Sequence, residues 1–191
     1  FMSVVYRVRP YEKIKGSANK LYEKWAEICT ESLKDASIKQ FKDNIYNIVK
    51  EFDALEITDE VKPKVGIVGE ILVKYHPTAN NDVVKVVESE GGEAVVPSLT
   101  DFFLYCAYNH EFAHRYLSDD TKTLLISKAA IKIIELYRRT YKKALANSDR
   151  FYEQKSIQEI AEGAQKVMSL GNQTGEGWLL TGEMIELIEN G

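Results

Sequence analysis

Three stretches carry residue types whose spacing could do chemistry. His110-Glu111-Phe112-Ala113-His114 puts two imidazoles at i and i+4, on one face of a helix, with a glutamate between them. That is the pattern in which two histidines bind zinc and the glutamate acts as base toward a metal-bound water. A complete site needs a third protein ligand and an open position for water, and Glu135 is the candidate for the third ligand. Against this zinc hydrolase reading, the polar stretch 109–115 follows an apolar aromatic run, which puts the histidines at the solvated end of a helix. The second stretch is Gly171-Asn172-Gln173-Thr174-Gly175-Glu176-Gly177. Its three glycines let backbone N–H groups approach a ligand, and the helix beyond it would add its positive dipole end, so Asn172, Gln173, Thr174 and Glu176 are candidates for an anion or thioester cradle. The Gly-Lys-Ser/Thr ending of a P-loop is missing. The plain alternative is a helix-helix connector with Gly171 as a C-cap and Thr174 as an N-cap.

The third stretch is KVGIVGEILVKYHPTANNDVV, residues 64–84. A short apolar run at Val65, Ile67 and Val68 reads as a strand, and Asn80, Asn81 and Asp82 read as caps for a helix from Val83. Ligands of open α/β sheets gather outside the carboxyl ends of the strands, so the loop from Glu70 to Asn81, with Tyr75, His76, Asn80 and Asn81 on it, falls where a site is expected. Glu70 is placed to orient His76 or to hold a polar group; a solvated carboxylate and a plain loop histidine are the alternatives. Cys106 lies in the aromatic run 102–108 and reads as structural packing. Cys29 reads as a helix residue without a function.

The elements that must position these residues follow from periodicity. Leu21, Trp25, Ile28, Phe41, Ile45, Ile48 and Phe52 recur at three- and four-residue steps, which predicts two helices over 17–53 broken near Asp35-Ala36-Ser37. Pro10 ends whatever precedes it, and the linker 58–63 separates residues 1–60, a helical appendage, from an α/β domain over 61–191. Strand 64–69, helix 80–90, the Gly91-Gly92 stop and strand 93–97 form a βαβ crossover, hence a parallel pair. Helices follow at 101–116, 121–147, 155–168 and from Trp178 to Glu189. The expected fold class is α/β, a partial Rossmann-like three-layer unit with a short parallel sheet, preceded by the helical appendage. The opening Phe1-Met2-Ser3 and the closing Ile188-Glu189-Asn190-Gly191 suggest a piece of a larger polypeptide, with a further strand expected after Gly191.

Composition bounds the function. The 191 residues carry 25 Lys or Arg against 29 Asp or Glu, a net charge of −4, with the two signs interspersed over the chain. This gives no basic stripe for nucleic acid or an anionic membrane. No apolar stretch approaches the ~20 residues of a spanning helix, and no signal peptide opens the chain, so a cytoplasmic location is expected. Two well-separated cysteines make neither a disulfide framework nor a full cluster site.

The strings RVRPYE, KVGIVGEILVKYHPTANNDVV, GGEAVVPSLTDFFLYCAYN and LGNQTGEGWLLTGEMIELIENG together resemble the acyl-CoA dehydratase activase-related proteins. These are relatives of the 2-hydroxyacyl-CoA dehydratase subunits that are often fused behind activase ATPase domains. The resemblance runs over nearly the whole chain and is strongest at 62–109 and 169–191. It implies anaerobic, lyase-type chemistry, in which an ATP-dependent activase drives one low-potential electron into an iron–sulfur component. That component then forms a ketyl radical from a 2-hydroxyacyl-CoA and expels water. It implies an activase domain or subunit and an acyl-CoA as partners, and a crevice lined by Glu70, Tyr75, His76, Asn80, Asn81 and the 171–177 loop. Family chains continue past the position of Gly191 into a strand and a cysteine-bearing Pro-Phe segment, and the activase's ATP-binding domains have no counterpart here. The iron–sulfur cluster is therefore expected in an intact parent, with Cys106 as the one candidate ligand here, and this chain alone is expected to be a fragment that binds no cofactor and is inactive. The rival reading is a non-catalytic interaction or scaffold domain that docks an activase or another subunit through exposed helical faces.

Overall fold

The computed structural model describes residues 1–35, 37–118, 120–152 and 154–190. Ala36, within the expected helix break, and Gly191, after which a further strand is expected, lie outside the described residues. The fold is mostly helical with one short parallel two-stranded sheet. Two compact units interleave along the chain, one built from residues 1–65, 87–94 and 137–154, the other from 66–86, 95–136 and 155–191. This grouping differs from the linear division into 1–60 and 61–191, because Ala144, Leu145 and Phe151, from late in the chain, complete the core of the first unit.

In the first unit, α1 (Met2–Val8), α2 (Ser17–Ser32) and α3 (Ile38–Asp53) pack with the end of α7 (Thr121–Ala146). Val4, Val5 and Val8 share one face of α1 and meet Trp25, Val49, Phe52 and Leu145 in the core. Periodicity raises no expectation for α1; Pro10 ends it as expected, in a single 3-10 turn from Arg9 to Tyr11. Glu12 then opens α2, its carboxylate accepting the N–H groups of Gly16 and Ala18 at 2.6 and 2.9 Å. Ser37 caps α3 through the Gln40 N–H. A charged cluster lies in the same unit: Glu93, 1% exposed, accepts two hydrogen bonds from Arg7 and one from the Tyr11 hydroxyl, and Arg9 forks onto Glu88.

The strands β1 (Lys64–Gly66) and β2 (Glu93–Val95) are three residues each, shorter than the expected 64–69 and 93–97. They pair in parallel, with the Ile67 N–H on the Val95 carbonyl and the Glu93 N–H on the Pro63 carbonyl, both at 2.9 Å. The helix between them, α5 (Val83–Ser89), ends at Gly91, whose φ of +88° is a left-handed stop that a Cβ would strain.

In the second unit, α6 (Leu99–Tyr116), α8 (Ile157–Gln165) and α9 (Gly177–Glu189) enclose Leu104, Tyr105, Ile160, Ala164, Trp178 and Leu179. α8 begins with a full capping box between Ser156 and Glu159. It meets α9 at close range, because a Cβ on Gly182 would stand 2.6 Å from the Ile160 carbonyl oxygen. Among the described residues no helix is long and apolar enough to cross a membrane.

Candidate functional site

The segment expected to be an irregular loop from Glu70 to Asn81 contains a single-turn helix, α4 (Ile71–Tyr75). Two carboxylates of the chain itself saturate its N-terminus. Glu70 accepts the N–H groups of Leu72 and Val73 at 3.0 and 3.3 Å, and Glu176 accepts that of Ile71 at 3.3 Å. The donors that the sequence offers to an outside anion are thus turned on internal carboxylates.

Asn80 closes the other end. Its amide donates to the Val73 and Lys74 carbonyls at 2.9 and 3.1 Å, and its oxygen accepts the Val83 N–H that starts α5. Asn81 and Asp82 follow with φ of 54° and 53°, a left-handed pair that short polar side chains tolerate. The hydroxyl of Tyr75 donates to the Pro97 carbonyl at 2.6 Å. His76 is exposed and terminates α4 with its backbone. Of these candidates, Glu70, Tyr75 and Asn80 hold backbone groups with their side chains, and Asn81 takes a left-handed turn position.

The 171–177 stretch folds onto the same unit. The Gln173 carbonyl accepts the Tyr105 hydroxyl at 2.5 Å, and the Asn172 carbonyl accepts the Trp178 N–H at 2.9 Å. The Gln173 side-chain nitrogen is buried and finds no hydrogen-bond partner among the described residues. Thr174 is exposed and is not the expected N-cap. Gly175 and Glu176 take φ of 61° and 60° in succession, which delays the helix until Gly177 and makes Glu176 its N-cap. Nor does Gly171 cap a helix: α8 ends at Gln165, and Gly171 is small because a Cβ there would stand 2.9 Å from the Phe112 ring. Cys106 is exposed rather than packed as expected, because the inward face of this part of α6 is taken by Leu104 and Tyr105. What burial it has, and then Glu176, push its thiol up. Helix α4, the 172–176 turn and the Cys106 region of α6 are therefore tied together.

At the centre of this unit is a pair that sequence reasoning missed. Lys74 Nζ donates to both carboxylate oxygens of Glu183 at 2.8 and 2.9 Å, with the two side chains 3% and 0% exposed. Burial pushes the Glu183 carboxyl up to about 7; Lys74 opposes this, and Asp101 and Glu186 add to it. Asp101, in the first turn of α6, is itself buried. Part of the signal was present: Lys74 follows Ile71-Leu72-Val73, Glu183 is the first of three glutamates on the otherwise apolar α9, and a charge among apolar residues is costly to bury without its opposite.

His110 and His114 lie one turn apart on α6, half-buried, each engaged by neighbouring groups. Among the described residues, no group of three or more His, Cys, Asp or Glu side chains is arranged to hold a metal ion. A cluster takes several thiolates. The second unit offers Cys106, and Cys29 belongs to the other unit, so the thiols of this chain do not by themselves fit an iron–sulfur cluster. No protein-family model matches the chain, and no curated protein or solved structure matches it.

Proposed function

We propose that this chain is a 2-hydroxyacyl-CoA dehydratase-like component that works in the cytoplasm with an ATP-dependent activase, its parallel strands beginning a Rossmann-like sheet. The reading starts from the resemblance of its four long strings to the activase-related proteins. The observation that carries it further is the gathering of α4, the 172–176 turn and Cys106 in one unit, through the Ile71–Glu176 and Tyr105–Gln173 hydrogen bonds. Segments far apart in sequence, drawn from those strings, are thus held in one unit with the buried Lys74–Glu183 pair. In this reading the saturated N–H groups of α4 fix the frame, and exposed His76, Cys106, Asn172 and Thr174 face the acyl-CoA side. Since the chain's own thiols do not make a cluster site, no electron-transfer step is assigned to any residue here.

The test is anaerobic purification of the whole polypeptide that carries this sequence, followed by assay with reduced activase, ATP and a panel of 2-hydroxyacyl-CoA thioesters. ATP-dependent enoyl-CoA formation is expected, impaired in Gln173→Ala with the circular-dichroism spectrum unchanged. Absence of enoyl-CoA with every thioester, in a preparation holding its full iron content, refutes the assignment.

A further inference from the structure

Helix α7 is apolar on two sides. Over residues 121–136, all within the second unit, Ile131 and Ile134 pack against that unit's core. A surface helix normally turns charged residues to the opposite side. Here Leu125, Ile126, Ile133 and Leu136 remain 63%, 60%, 58% and 61% exposed. Positions 125, 129, 133 and 136, with Ala129 also exposed, form one continuous outward strip at the three- and four-residue steps of a helix-packing seam. Aliphatic residues in a row, rather than singly, mark an interaction surface.

The charge around the strip is one-sided. Acidic and basic residues mix over the chain as a whole, but between Thr121 and Leu136 there are three Lys and a single acid, Glu135, in a chain of net charge −4. Lys122, Lys128 and Lys132 are exposed beside the strip. We infer that the outward face of α7 between residues 121 and 136 docks an acidic amphipathic helix of a partner protein. Such a helix covers the aliphatic strip with its own apolar stripe and sets carboxylates against the lysines. A second copy of this chain meeting the face with the same face would oppose lysine to lysine. A nucleic acid would use the cations and leave the aliphatic centre wet. None of the residues proposed to face acyl-CoA lies on this strip, so the docking face stands whether or not the acyl-CoA reading does.

The test uses the full chain and a fluorescent synthetic helix with Leu at alternating three- and four-residue steps flanked by Glu, with a Lys-flanked version as control. Anisotropy should report saturable binding of the Glu peptide that weakens with added salt, and binding of the Lys peptide at least ~10-fold weaker. Ile133→Asp, and independently Ile126→Asp, should weaken the Glu peptide by roughly tenfold or more with unchanged far-ultraviolet circular dichroism, since both positions are exposed. Lys128→Glu with Lys132→Glu should weaken it and favour the Lys peptide. No binding, or binding indifferent to these changes, overturns the inference. So does flotation with phosphatidylglycerol vesicles that Ile133→Asp abolishes, which would make the occupant a lipid surface. Self-association of the chain abolished by the same substitution would make it a second copy, and likewise overturns it.

Discussion

Replacing Lys74 by Met nearly preserves side-chain length and removes the charge, which isolates what the ammonium does for Glu183. With the ammonium in place, burial already carries the Glu183 carboxyl from an ordinary 4.5 to about 7. Between those values the folded protein keeps a proton that the unfolded chain has released. The stabilisation is therefore full below the unfolded value and is lost as pH rises through the folded one. Over the whole window this amounts to about 3 kcal/mol. Lys74 lowers the Glu183 carboxyl, so without it the carboxyl titrates higher still and the loss continues into alkaline pH. Near pH 5.5 Glu183 is protonated in both proteins, and the variant should lose only the worth of its hydrogen bonds, about 1 kcal/mol. Near pH 8 it must either ionise without a partner or hold its proton one unit above the native titration, which adds about 1.4 kcal/mol and brings the deficit to roughly 2.4 kcal/mol. Urea unfolding followed by circular dichroism at both pH values measures the difference. A deficit equal at the two would refute the argument. The double variant Lys74→Met with Glu183→Leu should regain most of the loss at pH 8, because a buried pair replaced by apolar groups is often neutral.

The other expectations concern single contacts. Gly182→Ala drives a Cβ to 2.6 Å from the Ile160 carbonyl oxygen, so α8 and α9 must separate, and thermal unfolding should show a loss of about 2 kcal/mol or more. Ser156→Ala removes the hydroxyl that accepts the Glu159 N–H, leaves the Ser156 backbone N–H on the Glu159 carboxylate, and should cost about 1 kcal/mol in urea denaturation. Tyr11→Phe removes the 2.7 Å hydrogen bond to Glu93 and should cost on the order of 1.5 to 3 kcal/mol. In the native protein, burial and then Glu93 push the Tyr11 phenol up to about 12. Its contribution should persist below its ordinary value of 10 and fade as pH rises through about 12, and ultraviolet difference titration near pH 10 should find as many tyrosines ionising in the native variant as in the native protein.

Long periodic segments were legible. The stripes through Leu21, Trp25, Ile45 and Phe52 mark α2 and α3 nearly to their ends, and Gly91-Gly92 marks the stop between α5 and β2. Short elements were not. α1 has only seven residues and α4 five, and the Val-rich and Ile-Leu-Val runs in them satisfy a strand as well as a helix. The interleaving of the two units was also beyond a linear reading, because it depends on where the far end of α7 packs, and Ala144 and Leu145 carry no mark of a core shared with Val4 and Val5.

The candidate site shows the same limit in a sharper form. Glu70, Asn80 and Glu176 stand out in the sequence as polar residues at loop positions, and residue type alone leaves open whether such groups face a ligand or the backbone. The structure turns all three on N–H or carbonyl groups of the chain. The contrast that could have been read is between polar residues in polar surroundings and charged residues in apolar ones. Lys74 and Glu183 belong to the second kind. A buried ammonium and a buried carboxylate each carry a desolvation cost that only a close partner offsets, so two such residues of opposite sign in separate apolar runs predict each other across a long loop. Here that pairing fixes the single turn of α4 against α9, and with it the position of every candidate residue from Glu70 to Asn80.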